Sequence, residues 1–424
     1  MNLISKFKKL NLINLELTLL FLMILSLPSI EAPKNIFLVL FVGTATIRQV
    51  KTKSLMVWNP WDWMFLAVIT SAFLSTIFAG LAPGDEWKGF RALLTFVSIG
   101  WLISRSKYSS KQLGWIFWLT ILSALPPLCW GLVQYLVLHT KSSLELHSVG
   151  HVNHSAIYLT MIFGAIFGLL LSFLKGSNTI KKSSLIFLTL IFYVALLVGG
   201  SRAAVGIAII LAILFLFIFV SSLRLKLIFI SFLTLLTLPT FFLSSGVIER
   251  QLQLQSTNQT LNGRAEIWHT TIEAARLYPL FGIGIDNRAV VTEDIIKKSV
   301  ESRHEIFNKD YYDFHFKHSH SFYLTNIAER GILGFIVTLC FILMWLQSLN
   351  KSYSQAKLDN QSAYLWMGSM SAWLATFGIG FVNTTFHHEH GILACLFLGL
   401  HLSYLNTHRI KLKKDLVKQK RNCP

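Results

Sequence analysis

Apolar runs long enough to cross a bilayer recur through the whole chain, and they limit what it can fold into. A membrane-spanning helix needs about 20 mostly apolar residues. Twelve stretches qualify, at 12–29, 34–47, 63–82, 88–103, 113–138, 155–174, 184–200, 203–220, 225–243, 319–345, 361–381 and 389–406. The second is the shortest. Only 14% of the 424 residues are charged, against roughly 25% in soluble domains. A mean hydropathy of +0.56 excludes disorder, a soluble enzyme and a fibrous protein. The expected fold is therefore an all-α polytopic membrane protein with about 12 transmembrane helices. No small-residue cleavage site follows the first run, so it reads as a span and not as a signal peptide.

The formal charge of +18 would suggest nucleic acid on a soluble protein. Here its placement matters more, because basic residues collect in cytoplasmic loops. With the N-terminus inside, alternate loops carry Arg48, Lys51 and Lys53, then Arg105, Lys107 and Lys111, then Lys175, Lys181 and Lys182. Arg224, Lys226, Lys351, Lys357 and a basic tail at 407–424 continue the alternation. Both termini are thus expected in the cytoplasm, with the excess charge facing anionic lipid and no nucleic-acid partner.

One connection breaks the pattern of short loops. Residues 244–318 divide the spans at 1–243 from those at 319–406, and hold ten carboxylates against nine Lys and Arg. A segment this long is expected to form a small functional domain on the outer side, between spans nine and ten. Its clearest element is an amphipathic helix from Asn262 to Tyr278, capped by Asn262, with Ala265, Trp268, Ile272 and Ala275 on one face. The four cysteines have no spacing that argues for a disulfide or zinc site.

Twelve of the 14 histidines fall on the expected outer side. His387, His388 and His390 are close in sequence, but no carboxylate–histidine spacing makes a metal site compelling. His320 stands where the long segment enters the tenth span. At 100° per residue, Leu324, Ile327, Gly331 and Gly334 return within about 40° of its direction. The two glycines would let another helix or a lipid tail approach that face. Glu329 and Arg330 point elsewhere and are expected to pair with neighbouring helices. Arg202, Arg264 and Arg91, all near outer helix ends, offer planar, permanently charged recognition of phosphate oxygens.

Three motifs carry a resemblance: "GGSRAAVG" (199–206), "NGRAEIWHTTIEAARLYPLFGIGIDN" (262–287) and "HSHSFYLTNIAERGILG" (318–334). In their order and placement they resemble the O-antigen ligase and polymerase superfamily. His320-Ser321, Gly331 and Gly334 fit its His-Ser/Asn, nine-residue, Gly-x-x-Gly pattern. "GHVNHSAIYLT" (150–160) resembles a further segment of these proteins and brings in Asn153 and His154.

The resemblance implies an inverting, metal-independent membrane glycosyltransferase in the bacterial inner membrane. Its donor would be a glycan on undecaprenyl diphosphate at the periplasmic face, and its acceptor a hydroxyl of lipid A-core or a related glycolipid. No cofactor is implied. His320 would be the general base, with His318 as its rival. Arg202, Arg264, Arg91, His318, Asn153 and His154 would bind substrate. The single large loop, and the lack of any Arg followed by Gly eleven positions on, favour the ligase over a polymerase. A protein O-oligosaccharyltransferase ranks next. A polysaccharide transporter or flippase is the alternative from another class, but no repeated halves are visible.

Overall fold

The computed structural model describes residues 12–53, 56–174, 178–243, 264–316 and 318–421, without the side chains of 239–243 and 408–421. The N-terminal lysines, residues 244–263 with Asn262, and the basic side chains of the tail lie outside the described residues. Among the described residues the chain is helical and contains no strand. The helices are α1 (Leu12–Ser26), α2 (Glu31–Lys51), α3 (Pro60–Ile77), α4 (Glu86–Arg105), α5 (Ser110–Leu122) and α6 (Leu125–Leu132). Then come α7 (Val152–Phe173), α8 (Thr179–Val198), α9 (Arg202–Phe219), α10 (Leu223–Leu243), α11 (Arg264–Leu277) and α12 (Glu293–Glu301). The last three are α13 (Phe322–Ala356), α14 (Asn360–Ile379) and α15 (His388–Arg421).

Each of the twelve apolar stretches coincides with helix. Six segments are long and apolar enough to cross a membrane: α3, Ser110–Val137, α7, α8, α9 and α13. The fifth stretch is interrupted: α5 gives way to α6 near Pro126 and Pro127, then to a π-helical turn at Val133–Val137. Proline removes a backbone donor and crowds the preceding turn, which accounts for the break.

Helix α7 is the axis of the bundle. Its residues from Ser155 to Ser172 are all buried, because α8, α9, α14 and α15 pack around it. A helix apolar on every side is stable only in such a position. Gly164 and Gly168 admit Ser371 and Met367 of α14, which would lie 2.1 and 2.7 Å from an added Cβ.

Several of the buried charges are paired. Glu16 accepts from Arg48, Ser106 and Tyr108, and Asp62 pairs with Arg105 and the Trp101 indole. At the opposite end Lys34 pairs with Glu389. Removing one member of such a pair leaves an uncompensated buried charge.

Two sequence expectations are corrected here. Helix α11 does not bury Ala265, Trp268, Ile272 and Ala275. It buries Ile267, Thr270, Thr271 and Ala274, and leaves Ile272 exposed. The rotation follows from what covers it: α13 on one side, and a second small apolar cluster of Ile283, Val291, Ile296 and Val300 on the other.

Nor does α13 run straight through its glycines. Gly331 has φ 61° and ψ −170°, which breaks the helix, so a 100° projection does not carry past it. Chain from the preceding segment fills the gap. Ile283 and Gly284 donate to Ala328 and Glu329 carbonyls at 2.9 and 3.1 Å, and Ile332 donates to Pro279 O at 2.8 Å. The neighbour admitted by Gly331 is thus backbone at Leu280, and neither a lipid tail nor another spanning helix.

A Cβ on Gly331 would meet Leu280 O at 2.3 Å, in a backbone region essentially reserved for glycine. Gly331→Ala is expected to destabilise the fold by more than about 3 kcal/mol. Gly206→Ala, a helical site with nothing within 4 Å, should be neutral or stabilising by about 0.5–1 kcal/mol. Thermal unfolding of the two purified variants checks both.

Candidate active site

Segment 313–321 carries the two histidines of the third motif, and local hydrogen bonds order it. The Asp313 side chain accepts from the backbone of His315 and Phe316, each at 3.0 Å. Thr270 of α11 bonds Asp313 in both directions, at 2.9 and 3.0 Å. The Trp268 indole donates to Ser319 O at 3.0 Å. Ser321 caps α13, and Phe322 N reaches Gly380 O at 2.8 Å. The turn is therefore tied to both α11 and the end of α14.

Within it His320 takes φ 50°, a left-handed conformation that costs a non-glycine residue roughly 1–2 kcal/mol. Such strain persists only where surroundings over-determine it, and it gathers at functional sites. Its ring lies 5.5 Å from that of Phe316. Burial pulls the His320 pKa below 6.5, and the positive charge of Arg264 adds to this, followed by His318 and His151. A neutral imidazole with a free lone pair at neutral pH is what a general base requires.

Arg264 opens α11 and is partly buried. Burial lowers its pKa, and the neighbouring charge of Arg202 lowers it further. Arg202 opens α9, just after the tight turn at Gly199–Gly200, where Gly200 takes φ 67°. Arg202 is thus close enough to Arg264, and Arg264 to His320, for each charge to be felt by the other group.

A pocket of about 110 Å³ opens beside His318, two residues from His320. Its walls are Gly89, Leu93 and Phe96 of α4, Ile285 and Asp286, His318, the first turns of α13 and residues 384–388. His318 lines it, with its ring 5.8 Å from that of His387. Arg91 does not line it. It is exposed on α4, whose Gly89, Ala92 and Leu93 do contribute. Asn153 sits in the first turn of α7, its backbone N–H 3.3 Å from His151 Nδ1. His154 joins a different group: its ring is 4.6 Å from His387 and 5.3 Å from His390.

Glu329 is the residue that sequence reasoning placed elsewhere. It lines the cavity, and its Oε2 accepts from Asp286 N at 3.0 Å. Arg330 does pair inside the bundle, with Asn326, Thr338 and Ser71 of α3. The signal for Glu329 was its spacing from Phe322, Thr325 and Asn326, which share its helix face and line the cavity with it; His320 lies before the helix and is no origin for that projection.

Residues 185–339 match the O-antigen ligase family model. That match supports membership of the O-antigen ligase and polymerase superfamily, which the three motifs resemble. No curated protein matches the chain. The O-antigen ligase segment runs from α8 into α13 and contains Arg202, Arg264, His318, His320 and Glu329. It leaves out Arg91, Asn153 and His154. Members of this ligase family are membrane glycosyltransferases, so an enzyme is the coarse reading of the chain.

Proposed function

We infer that the chain is an O-antigen ligase. It moves a glycan from undecaprenyl diphosphate to a hydroxyl of lipid A-core, or of a related glycolipid, with inversion. The reading includes twelve spans in the bacterial inner membrane, both termini cytoplasmic and segment 244–318 in the periplasm. The observation that carries it is the electrostatic influence of Arg264 on His320 and of Arg202 on Arg264, inside the segment that matches the family.

In this reading His320 takes the proton of the acceptor hydroxyl as its oxygen attacks the anomeric carbon. The new glycosidic bond forms on one face while the bond to the diphosphate oxygen breaks on the other. The diphosphate leaves on its lipid with the bonding electrons, and Arg264 and Arg202 offset its growing negative charge. His320 then returns its proton to solvent. Two arginines stand where a metal ion would otherwise neutralise the leaving group, so transfer needs no metal. His318, on the cavity wall, orients the acceptor. Arg91 and Asn153 belong to the wider substrate surface, and His154 to the neighbouring group with His387 and His390.

Deletion of the gene followed by electrophoresis of lipopolysaccharide tests the reaction. The expected result is core lacking the polymer ladder, with lipid-linked polymer retained. Core bearing a single repeat would assign polymerisation instead. An intact ladder with loss of a glycosylated protein would assign protein transfer, and absence of glycan at the outer face would assign flipping.

A further inference from the structure

Three imidazoles converge from separate elements at the end of the bundle that carries the cavity. His154 comes from the first turn of α7, His387 from the connection before α15, and His390 from the first turn of α15. One ring nitrogen of each lies within 4.8 Å of the other two. His387 Nε2 and both nitrogens of His390 are buried with no hydrogen-bond partner. A buried nitrogen left unpaired costs about 1–3 kcal/mol, so His387 and His390 each call for a partner that a shared ligand would supply.

The lone pairs of these unpaired nitrogens are available to an electrophile. We propose that His154, His387 and His390 bind a divalent transition metal, zinc by the chemistry of the donors, which clamps α7 to α15 beside the cavity.

Imidazole nitrogens suit zinc, copper, nickel and cobalt, whereas magnesium and calcium prefer oxygen. Zinc holds nitrogen at about 2.0–2.1 Å in a tetrahedron. Small side-chain rotations would bring the three nitrogens from their present spacing to that distance. Three protein ligands leave a fourth position for water. The sequence pointed to His387, His388 and His390; the fold replaces His388 with His154.

The site goes beyond the transferase reading, and its test does not use transfer. Full-length protein, purified in detergent and stripped with chelator, is titrated with cobalt and then with zinc. The expected result is one cobalt per chain, the visible absorption of tetrahedral cobalt, its displacement by zinc and a raised Tm with either metal.

His154→Gln, which replaces the least enclosed ligand, should weaken binding by more than about 100-fold, since loss of an outer-sphere partner alone costs 10–100-fold. His269→Ala, at an exposed position outside the cluster, should bind as wild type. Uptake of no metal tighter than millimolar by the folded wild type would overturn the proposal. So would full binding by the triple His154→Gln, His387→Gln, His390→Gln variant. Should that variant fail to fold, the wild-type stoichiometry, the cobalt spectrum and His154→Gln still decide.

Discussion

His320→Ala is expected to lower glycan transfer by about 10²–10⁴-fold, the range supplied by a positioned general base, while the protein still inserts and folds. The side chain is only partly buried, and the backbone around it is held by Trp268, Ser319 and Ser321, so truncation leaves the turn standing. Alanine also keeps the left-handed φ that the position imposes, so any loss of stability should stay near 1–2 kcal/mol. Single-turnover transfer in proteoliposomes, with the amount of inserted protein matched, reads the effect. Wild-type transfer would remove His320 from the base role. His318→Ala, made in parallel, separates the rivals. The residue at the cavity wall should cost less, and mainly in acceptor KM.

Arg264→Ala should cost about 10²–10³-fold, as removal of one preorganised charge at a developing anion does elsewhere. It carries a second signature that a structural defect would not produce. The Arg264 charge is the largest influence after burial that depresses the His320 pKa. Without it that pKa rises, and more of the histidine is protonated at a given pH. Activity requires the neutral base, so it is lost as pH falls through the His320 pKa. In the wild type that acid limb lies below 6.5, and Arg264→Ala should move it upward. Arg264→Lys keeps a charge near His320 and should restore the acid limb more than the rate, since lysine lacks the planar fork. An acid limb that stays in place would detach Arg264 from His320.

Much of the helical framework was legible because an apolar run of bilayer length in a chain this poor in charge has few other folds open to it. Even the short second stretch is helix, extending from Glu31 to Lys51. Glu16, an acid inside such a run, finds the partners that burial there demands, in Arg48, Ser106 and Tyr108.

What the sequence concealed depended on contacts far along the chain. The buried face of α11 is set by α13 and by residues 283–300, which no periodicity within α11 records. The break at Gly331 depends on the backbone of 279–284 lying against it. Glu329 faces the cavity with Phe322, Thr325 and Asn326, one and two turns before it on the same helix face; a projection drawn from His320, which precedes the helix, turned it elsewhere. His154 reaches His387 and His390 only because α7 runs beside α15. Arg202, Arg264 and His320 were singled out by motif, and their proximity is a property of the fold.

The hydrogen bonds between residues 279–284 and 328–333 have a consequence for engineering acceptor range. A natural first step would be a chimera that borrows the segment between the ninth and tenth spans from an enzyme with another acceptor. The exchange would strand the carbonyls of Ala328 and Glu329, and the N–H of Ile332, unless the donor supplied a backbone of matching path. The smallest transplantable cassette is therefore 264–334, which carries both sides of the seam together with Arg264 and His320.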